Sequence, residues 1–167
     1  MSRLERLDGE RFREVIGHFA SGVTVVTARD GGRDFGTTAS AVCSLSLEPP
    51  MLLVCMNRAS ATGAAIDRGG RFAVNILSAE QAPLAVRFAR PGGDFAGLAV
   101  ETGAGGEPLL AEALAAIECR VVERAAGGTH QVFIAAAERA EARPGAAPLA
   151  YFRGEFGRLG PLESAAS

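Results

Sequence analysis

The chain has 167 residues, a formal net charge of −2 and three cysteines. This length predicts one domain over residues 1–167, with a core at about residues 10–160 and short flexible ends. The small net charge gives no field that would attract nucleic acid or an anionic membrane, so we expect neither partner. Cys43, Cys55 and Cys119 lie far apart in apolar segments, which predicts free thiols in a reducing compartment.

Several functional classes lack their sequence signals. The N-terminal segment is charged throughout and has no apolar stretch typical of a secretory signal, so a cytoplasmic location is expected. No apolar run reaches the roughly 20 residues that cross a bilayer. The chain has no P-loop, no G-x-S-x-G elbow and no dinucleotide-binding glycine motif before a helix. His18 and His130 are too far apart in sequence to indicate a local metal site, so none is expected.

The first predicted elements are a short helix and a hairpin. Over residues 11–20, apolar side chains recur at helical spacing and predict one apolar stripe. The β-branched residues 23–27 predict a strand. Asp30, Gly31 and Gly32 then predict a turn that leads into a second strand.

Residues 35–47 are the most informative segment, because hydroxyl and apolar side chains alternate along one predicted strand. One face of this predicted strand carries Thr38, Ser40, Val42, Ser44 and Ser46. This face suits a polar ligand, and a solvated sheet face is the alternative. The other face suits a core and carries Phe35, Thr37, Ala39, Ala41, Cys43, Leu45 and Leu47. Two prolines end this strand because they lack an N–H donor. The apolar run at residues 51–56 predicts a strand covered on both faces.

The remaining segments complete a mainly β pattern. Residues 60–68 predict a short helix, and residues 72–77 predict a strand. Ser78 and Gln81 form a capping box that opens another helix. Glycine-rich residues 91–106 predict a loop, and four further strands follow, at residues 114–124, 130–141, 150–152 and 155–156. Many strands without βαβ alternation predict a closed antiparallel sheet with peripheral helices.

The order of these segments resembles the flavin reductase-like family, whose members share an antiparallel split β-barrel that binds FMN. The resembling blocks span nearly the whole chain and include FASGVTVVTA, TASAVCSLSLEPPMLLVCMN, FAVNIL, RFA, GGTHQVFIA and PLAYFRGEFGRL. The resemblance implies an NAD(P)H-dependent flavin reductase that uses NADH or NADPH to reduce FMN or FAD. It also implies a homodimer that supplies reduced flavin by diffusion to a partner monooxygenase.

The resemblance assigns three groups of residues to the flavin. Backbone groups along the flavin edge come from Thr38, Ala39, Ser40 and Ala41. Contacts with the ribityl chain and phosphate come from Ser44, Leu45 and Ser46. The flanks of the same pocket come from Cys55, Met56 and Asn57. A flavin needs an apolar slot for its rings and a few polar groups at the rim, which this composition supplies.

A second set of residues is expected around the phosphate. Ser60 and Thr62 lie where a helix begins, and free backbone N–H groups there form a natural phosphate seat. Simple helix capping is the alternative. Arg87, followed by Phe88, matches the family position that supplies a cation near the phosphate, and an exposed helical arginine is the alternative.

The resemblance places two residues beside the flavin on the nicotinamide side. His130 corresponds to the histidine of a Gly-Asp-His element, but Thr129 replaces the aspartate here. That replacement removes an acidic neighbour, and a structural role is the alternative for this histidine. Tyr151 is expected over or beside the isoalloxazine, with a barrel-plugging aromatic as the alternative.

Two other functions remain open at the level of sequence. One is a split-barrel FMN oxidase of the pyridoxamine-phosphate-oxidase type, which would hold FMN tightly and use a different substrate. The other is a module that binds flavin or haem without catalysis. The reductase-type blocks around His130 and Tyr151 favour the reductase over the oxidase.

Overall fold

The computed structural model of the chain describes residues 6–91 and 93–161, so most of the two ends expected to be flexible lies outside the described residues. Three short helices are α1 (Gly9–Ile16), α2 (Ala61–Gly69) and α3 (Ala82–Ala89). A 3₁₀ turn at Ala79–Gln81 precedes α3. None of the helices in the described part of the chain is both long and apolar enough to cross a membrane.

Antiparallel strands account for about half of the described residues. In chain order they are β1 (Ser21–Gly22), β2 (Thr24–Asp30), β3 (Arg33–Ala39), β4 (Val42–Leu47), β5 (Pro50–Asn57), β6 (Arg71–Ile76), β7 (Val100–Thr102), β8 (Pro108–Leu110), β9 (Ala115–Gly127), β10 (His130–Ala142), β11 (Leu149–Phe152) and β12 (Glu155–Arg158). Seven strands make one sheet in the order β3-β2-β6-β9-β10-β5-β4. Two small sheets contain β1-β11-β12 and β7-β8. The mainly β architecture with peripheral helices is the predicted class.

The predicted hairpins are confirmed. β2 pairs with β3 up to Asp30 and Arg33, and the two glycines between them have φ values of +55° and +75°. Two residues with positive φ suit the twist of a two-residue hairpin, which explains the glycines. β9 and β10 form the predicted long hairpin, in which Gly127 pairs with His130. The capping pair before α3 is also present, because the Ser78 N–H donates to Gln81 Oε1 at 2.9 Å.

The prediction of one continuous strand over residues 35–47 is wrong. β3 and β4 lie at opposite edges of the seven-stranded sheet, and the chain crosses between those edges at Ser40 and Ala41. The Cys55 N–H of β5 donates to the Ala41 carbonyl at 3.0 Å, which continues the β4–β5 pairing past Val42 into the crossing. The alternation of hydroxyl and apolar residues continues through the crossing without a glycine or proline, so its period could not reveal the break.

The predicted core face of β4 is also wrong. Leu45 and Leu47 are 49% and 86% exposed, whereas Val42 packs against the core. The register shifts between Ser44 and Ser46, so Leu45 forms a bulge that interrupts the alternation.

β5 is buried on one face only in the described chain. Its buried face carries Leu52, Val54 and Met56, and its half-buried face carries Met51, Leu53 and Cys55. The prediction of a strand covered on both faces is therefore wrong for this chain by itself. The half-buried face borders open space beside the sheet.

Two apolar clusters hold the elements together. One packs α2 against the main sheet and includes Val26, Val54, Ile66, Phe72 and Phe133. The other packs α3 beneath β2 and includes Val25, Leu77, Ala85, Phe88 and Leu149. Helix α1 is shorter than predicted, since it ends at Ile16, and none of its residues is buried.

Close packing of β3 against α3 depends on Gly36. A Cβ atom at this position would lie 2.6 Å from Phe88 Cε1 and 3.1 Å from Phe95 Cζ. We expect Gly36→Ala to lower the free energy of unfolding by about 1–3 kcal/mol, because the buried ring of Phe88 has no space to move. Urea unfolding measures the change. Gly157→Ala in β12, where the added Cβ meets nothing within 4 Å, is the control, and equal stability losses would contradict the packing.

Candidate functional site

A small cleft of about 240 Å³ collects residues from five separate segments. The end of β3, the crossing to β4, the end of β5, the start of α2 and the start of β10 all contribute. Its lining consists of Thr37, Thr38, Ala39, Ser40, Ala41, Cys55, Met56, Asn57, Ser60 and His130. All of these except Thr37 are residues that the sequence analysis assigned to a site. Thr37 is the lining residue that the sequence analysis did not assign, because the segment that the resemblance places along the flavin edge begins at Thr38.

Strand pairing and a helix cap fix this arrangement. Asn57 at the end of β5 pairs with His130 at the start of β10. The Ser60 N–H donates to the Asn57 carbonyl at 2.9 Å, so α2 begins directly beside the strand end. Ser60 Oγ then accepts the N–H of Gly63 at 3.2 Å as the N-cap of α2. The positive end of a helix therefore borders the cleft.

The hydroxyl groups of the cleft differ in what they bind. Thr38 Oγ1 donates to the Ala85 carbonyl of α3 at 2.6 Å, so this side chain holds the helix against β3. Ser40 is exposed and lies between the two strand pairings, outside both. The polar contacts that this cleft offers a ligand therefore come from the crossing segment more than from the Thr38 side chain.

The hairpin tip between β9 and β10 carries His130 into the cleft. Thr129 Oγ1 lies 3.0 Å from His130 Nδ1. The Arg58 N–H donates to the Thr129 carbonyl at 3.1 Å, which ties the tip to the end of β5. The described residues that line the cleft include no carboxylate. The cleft consequently suits a flat, largely uncharged ring system bordered by hydrogen-bonding groups.

A larger cleft of about 880 Å³ lies beside the small one, between α1 and the sheet. The two clefts share Ser40, Ala41 and Cys55 as lining residues. Tyr151 lines the larger cleft, so the structure does not place it in the small cleft. Other residues of the larger cleft, which the sequence analysis missed, are His18, Phe19, Leu53 and Arg153.

A backbone contact positions the end of α1 beside this larger cleft. The Arg153 N–H in the β11–β12 turn donates to the Gly17 carbonyl at 2.9 Å. Arg153 has a φ of +51°, a conformation that is uncommon for a residue with a side chain. The sequence gives no local signal for this contact, since the two residues are far apart along the chain.

Some residues that the sequence analysis assigned to the site lie elsewhere. Phe88 is fully buried in the α3 cluster and Thr62 is 3% exposed inside α2, so neither side chain faces the small cleft. The side chains of Ser44 and Leu45 are exposed on β4, while Ser46 is half-buried. Ser44 pairs with Leu52, which lies three residues from Cys55 along β5. Three strand residues span about 10 Å, so Ser44 lies about that far along the sheet from the cleft residue Cys55.

Arg87 is also engaged elsewhere. Its guanidinium forms an ion pair with Asp94 and donates to the Ala96 carbonyl at 2.6 Å. This guanidinium holds the pKa of the Asp94 carboxyl below its usual range, and the Ala96 N–H adds to the effect. Arg87 therefore fastens α3 to the loop after it, and its expected contact with a phosphate stays a prediction.

Comparison with known proteins identifies the family of the chain. A family model described as "Flavin reductase like domain" matches residues 16–160. The chain therefore belongs to the flavin reductase-like family.

Particular relatives narrow the comparison. The chain is 51% identical over 163 residues to the reductase component of a 4-nitrophenol 4-monooxygenase/4-nitrocatechol 2-monooxygenase from Rhodococcus opacus, covering 97% of this chain and 87% of that protein. It is 40% identical over 162 residues to a flavin reductase (NADH) from Kitasatospora aureofaciens, covering 94% and 84% of the two chains. Among solved structures, the NADH:FAD oxidoreductase SgcE6 of Streptomyces globisporus C-1027, in complex with NAD and FAD fragments, superposes with a TM-score of 0.88. Its identity is 31%, with 96% of this chain and 100% of that chain covered.

The thiols of Cys55 and Cys119 should differ sharply in reactivity. Burial raises the pKa of Cys119 to about 12, so this thiol stays protonated in the folded chain. Cys55 is half-buried and lines both clefts. We expect a small alkylating reagent to modify Cys55 in the native protein and to modify Cys119 only after unfolding, as followed by peptide mass spectrometry. Equal native labelling of the two thiols would contradict the assigned burial.

Proposed function

We propose that this chain is a flavin reductase that transfers a hydride from NADH to FMN and supplies the reduced flavin to a partner monooxygenase. The observation that carries the proposal is the small cleft, which unites residues from five segments that the flavin reductase resemblance had largely assigned to one site. Family membership and the names of the relatives support the same activity. FAD shares the isoalloxazine ring, so it is compatible with the same cleft, and NADPH is the alternative reductant.

The residues of the cleft fit a flavin. Ala39, Ala41 and Cys55 offer apolar contact for a ring, and the backbone around Ser40 offers hydrogen bonds outside the strand pairings. When bound, the flavin accepts the hydride that the nicotinamide supplies. The protein's contribution is to hold two rings in contact and to place N–H donors where negative charge develops.

The beginning of α2 is the proposed phosphate seat. Ser60 Oγ accepts a hydrogen bond from Gly63, and the same hydroxyl can still donate its own proton to a phosphate oxygen. The first backbone N–H groups of α2 have no partner within the helix and point toward its N-terminal end. Capping and phosphate binding are thus compatible roles for Ser60.

The larger cleft is the proposed entrance for the nicotinamide. It meets the small cleft at Ser40, Ala41 and Cys55, so a ring lying there reaches the position proposed for the flavin ring. Tyr151 contributes an aromatic surface on this side, and His130 contributes a hydrogen-bonding ring from the other. Both residues are proposed to position the nicotinamide, with no acid or base needed for hydride transfer.

NADH consumption by purified protein tests the activity. We expect the loss of NADH absorbance to be slow without flavin and to rise with added FMN until it saturates, because the cleft must hold a flavin for hydride transfer. A control with FMN and no protein corrects for direct reaction. If the protein binds FMN but NADH does not reduce it, the oxidase or the non-catalytic flavin or haem module becomes the better account.

A homodimer is proposed to cover the exposed apolar face of α1. Phe12, Val15 and Ile16 are each about half-exposed, and Phe19 beyond the helix is 77% exposed. Phe152 adds further exposed aromatic surface next to the end of α1. Contiguous apolar surface of this kind marks an interaction site. Delivery of reduced flavin to the partner monooxygenase by diffusion is proposed as well. A cytoplasmic location is also proposed, since Cys43, Cys55 and Cys119 are all free thiols, which suit a reducing compartment.

Light scattering during size-exclusion chromatography tests the proposed dimer. We expect wild-type protein at twice the mass of the chain and a Val15→Asp/Phe19→Asp variant shifted toward the monomer, because two buried carboxylates would oppose association. Val86→Asp, at an apolar side chain on α3 that is 41% exposed, is the matched control. A monomeric wild type would contradict the proposal, as would equal dissociation of the control.

A further inference from the structure

The side chain of Thr129 contacts the ring of His130. Neither the resemblance nor the relatives assign Thr129 to the site. Thr129 replaces the acidic residue of the family element, and its Oγ1 lies 3.0 Å from His130 Nδ1. We propose that Thr129 is a positioning residue that sets the orientation of the His130 ring for the nicotinamide. This inference rests on the proposed reductase function. With Nδ1 engaged by Thr129, Nε2 is the ring nitrogen available to a ligand in the cleft.

The backbone of the hairpin tip is held independently of this contact. The Arg58 N–H donates to the Thr129 carbonyl at 3.1 Å, and Arg58 Nε donates to the His130 carbonyl at 3.4 Å. His130 is also paired with Asn57 across β5 and β10. These contacts fix the backbone, so rotation of the His130 side chain is the main freedom left. The hydrogen bond to Thr129 limits that rotation.

Threonine is suited to this task. Its β-branched side chain has few χ1 orientations, so the hydroxyl is held in place with little loss of entropy. A hydroxyl can donate a hydrogen bond to Nδ1 or accept one from it, and it therefore serves a neutral ring in either tautomer. An aspartate could only accept, and it would bring a negative charge to a cleft whose lining has no carboxylate. Thr129 thus preserves orientation without adding charge.

Two substitutions separate the hydroxyl from the shape of the side chain. Thr129→Val keeps the β-branched shape and removes the hydrogen bond, whereas Thr129→Ser keeps the hydroxyl. We expect Thr129→Val to raise the KM for NADH by about two- to tenfold, the usual cost of one lost hydrogen bond, with little change in FMN affinity. Thr129→Ser should restore most of the loss. Similar defects in both variants, or no defect in Thr129→Val, would overturn the proposal.

A double mutant tests whether Thr129 acts through the histidine. In a His130→Ala background, Thr129→Val should have no further effect on the KM for NADH. An undiminished effect in that background would show a role independent of the ring and would overturn the proposal. Unfolding midpoints of all variants check that the exposed hairpin tip remains folded.

NMR of the histidine ring nitrogens provides a readout that does not need activity. The chain has only two histidines, so the spectrum of ¹⁵N-labelled protein is simple. We expect His130 Nδ1 to show a hydrogen-bonded signal in the wild type and in Thr129→Ser, and to lose it in Thr129→Val. An unchanged His130 signal in Thr129→Val would overturn the positioning role. If wild-type protein showed this signal but did not oxidise NADH, the proposed function would fail while the Thr129–His130 contact stood.

Discussion

The hydrogen bond from the Cys55 N–H to the Ala41 carbonyl is the constraint on which both clefts depend. It extends the β4–β5 pairing past Val42 and so fixes Ala41 against β5, where the chain crosses between β3 and β4, the two edge strands of the seven-stranded sheet. A crossing of only two residues, Ser40 and Ala41, is long enough because the sheet brings its edges together. The small cleft and the larger cleft then lie on either side of this crossing and share its residues.

The crossing also explains why the proposed site uses backbone groups more than side chains. Strand pairing on β3 ends at Ala39, and pairing on β4 begins at Val42, so the peptide groups between them are outside the regular ladders. Neighbouring hydroxyls such as that of Thr38 are used to hold α3 in place. A flavin ring needs a cleft of matching shape and a few fixed hydrogen-bond donors. Rigid strand ends hold such donors with less mobility than long side chains would.

The sequence predicted the hairpins and the mainly antiparallel class, because turn glycines and strand periods are local signals. The family resemblance, and not these local signals, grouped most residues of the small cleft. The sequence failed where the structure depends on distant contacts. The crossing at Ser40 has no local signal, and the bulge at Leu45 reverses exposure along β4. The family resemblance placed Phe88 beside the phosphate, whereas the structure buries its ring against β3 through the close approach of Gly36. The larger cleft could not be predicted, since it requires the docking of the α1 end onto the β11–β12 turn.

The most direct measurement of the central claim is a crystal structure of the protein with FMN bound. The account predicts that the isoalloxazine ring lies along residues 38–41 and against the end of β5, with the phosphate at the beginning of α2. A ring bound instead in the separate cleft of about 140 Å³ beside Arg58 and Asp67 would contradict the account. A phosphate bound by Arg87, after loss of its ion pair with Asp94, would contradict the proposed seat at Ser60.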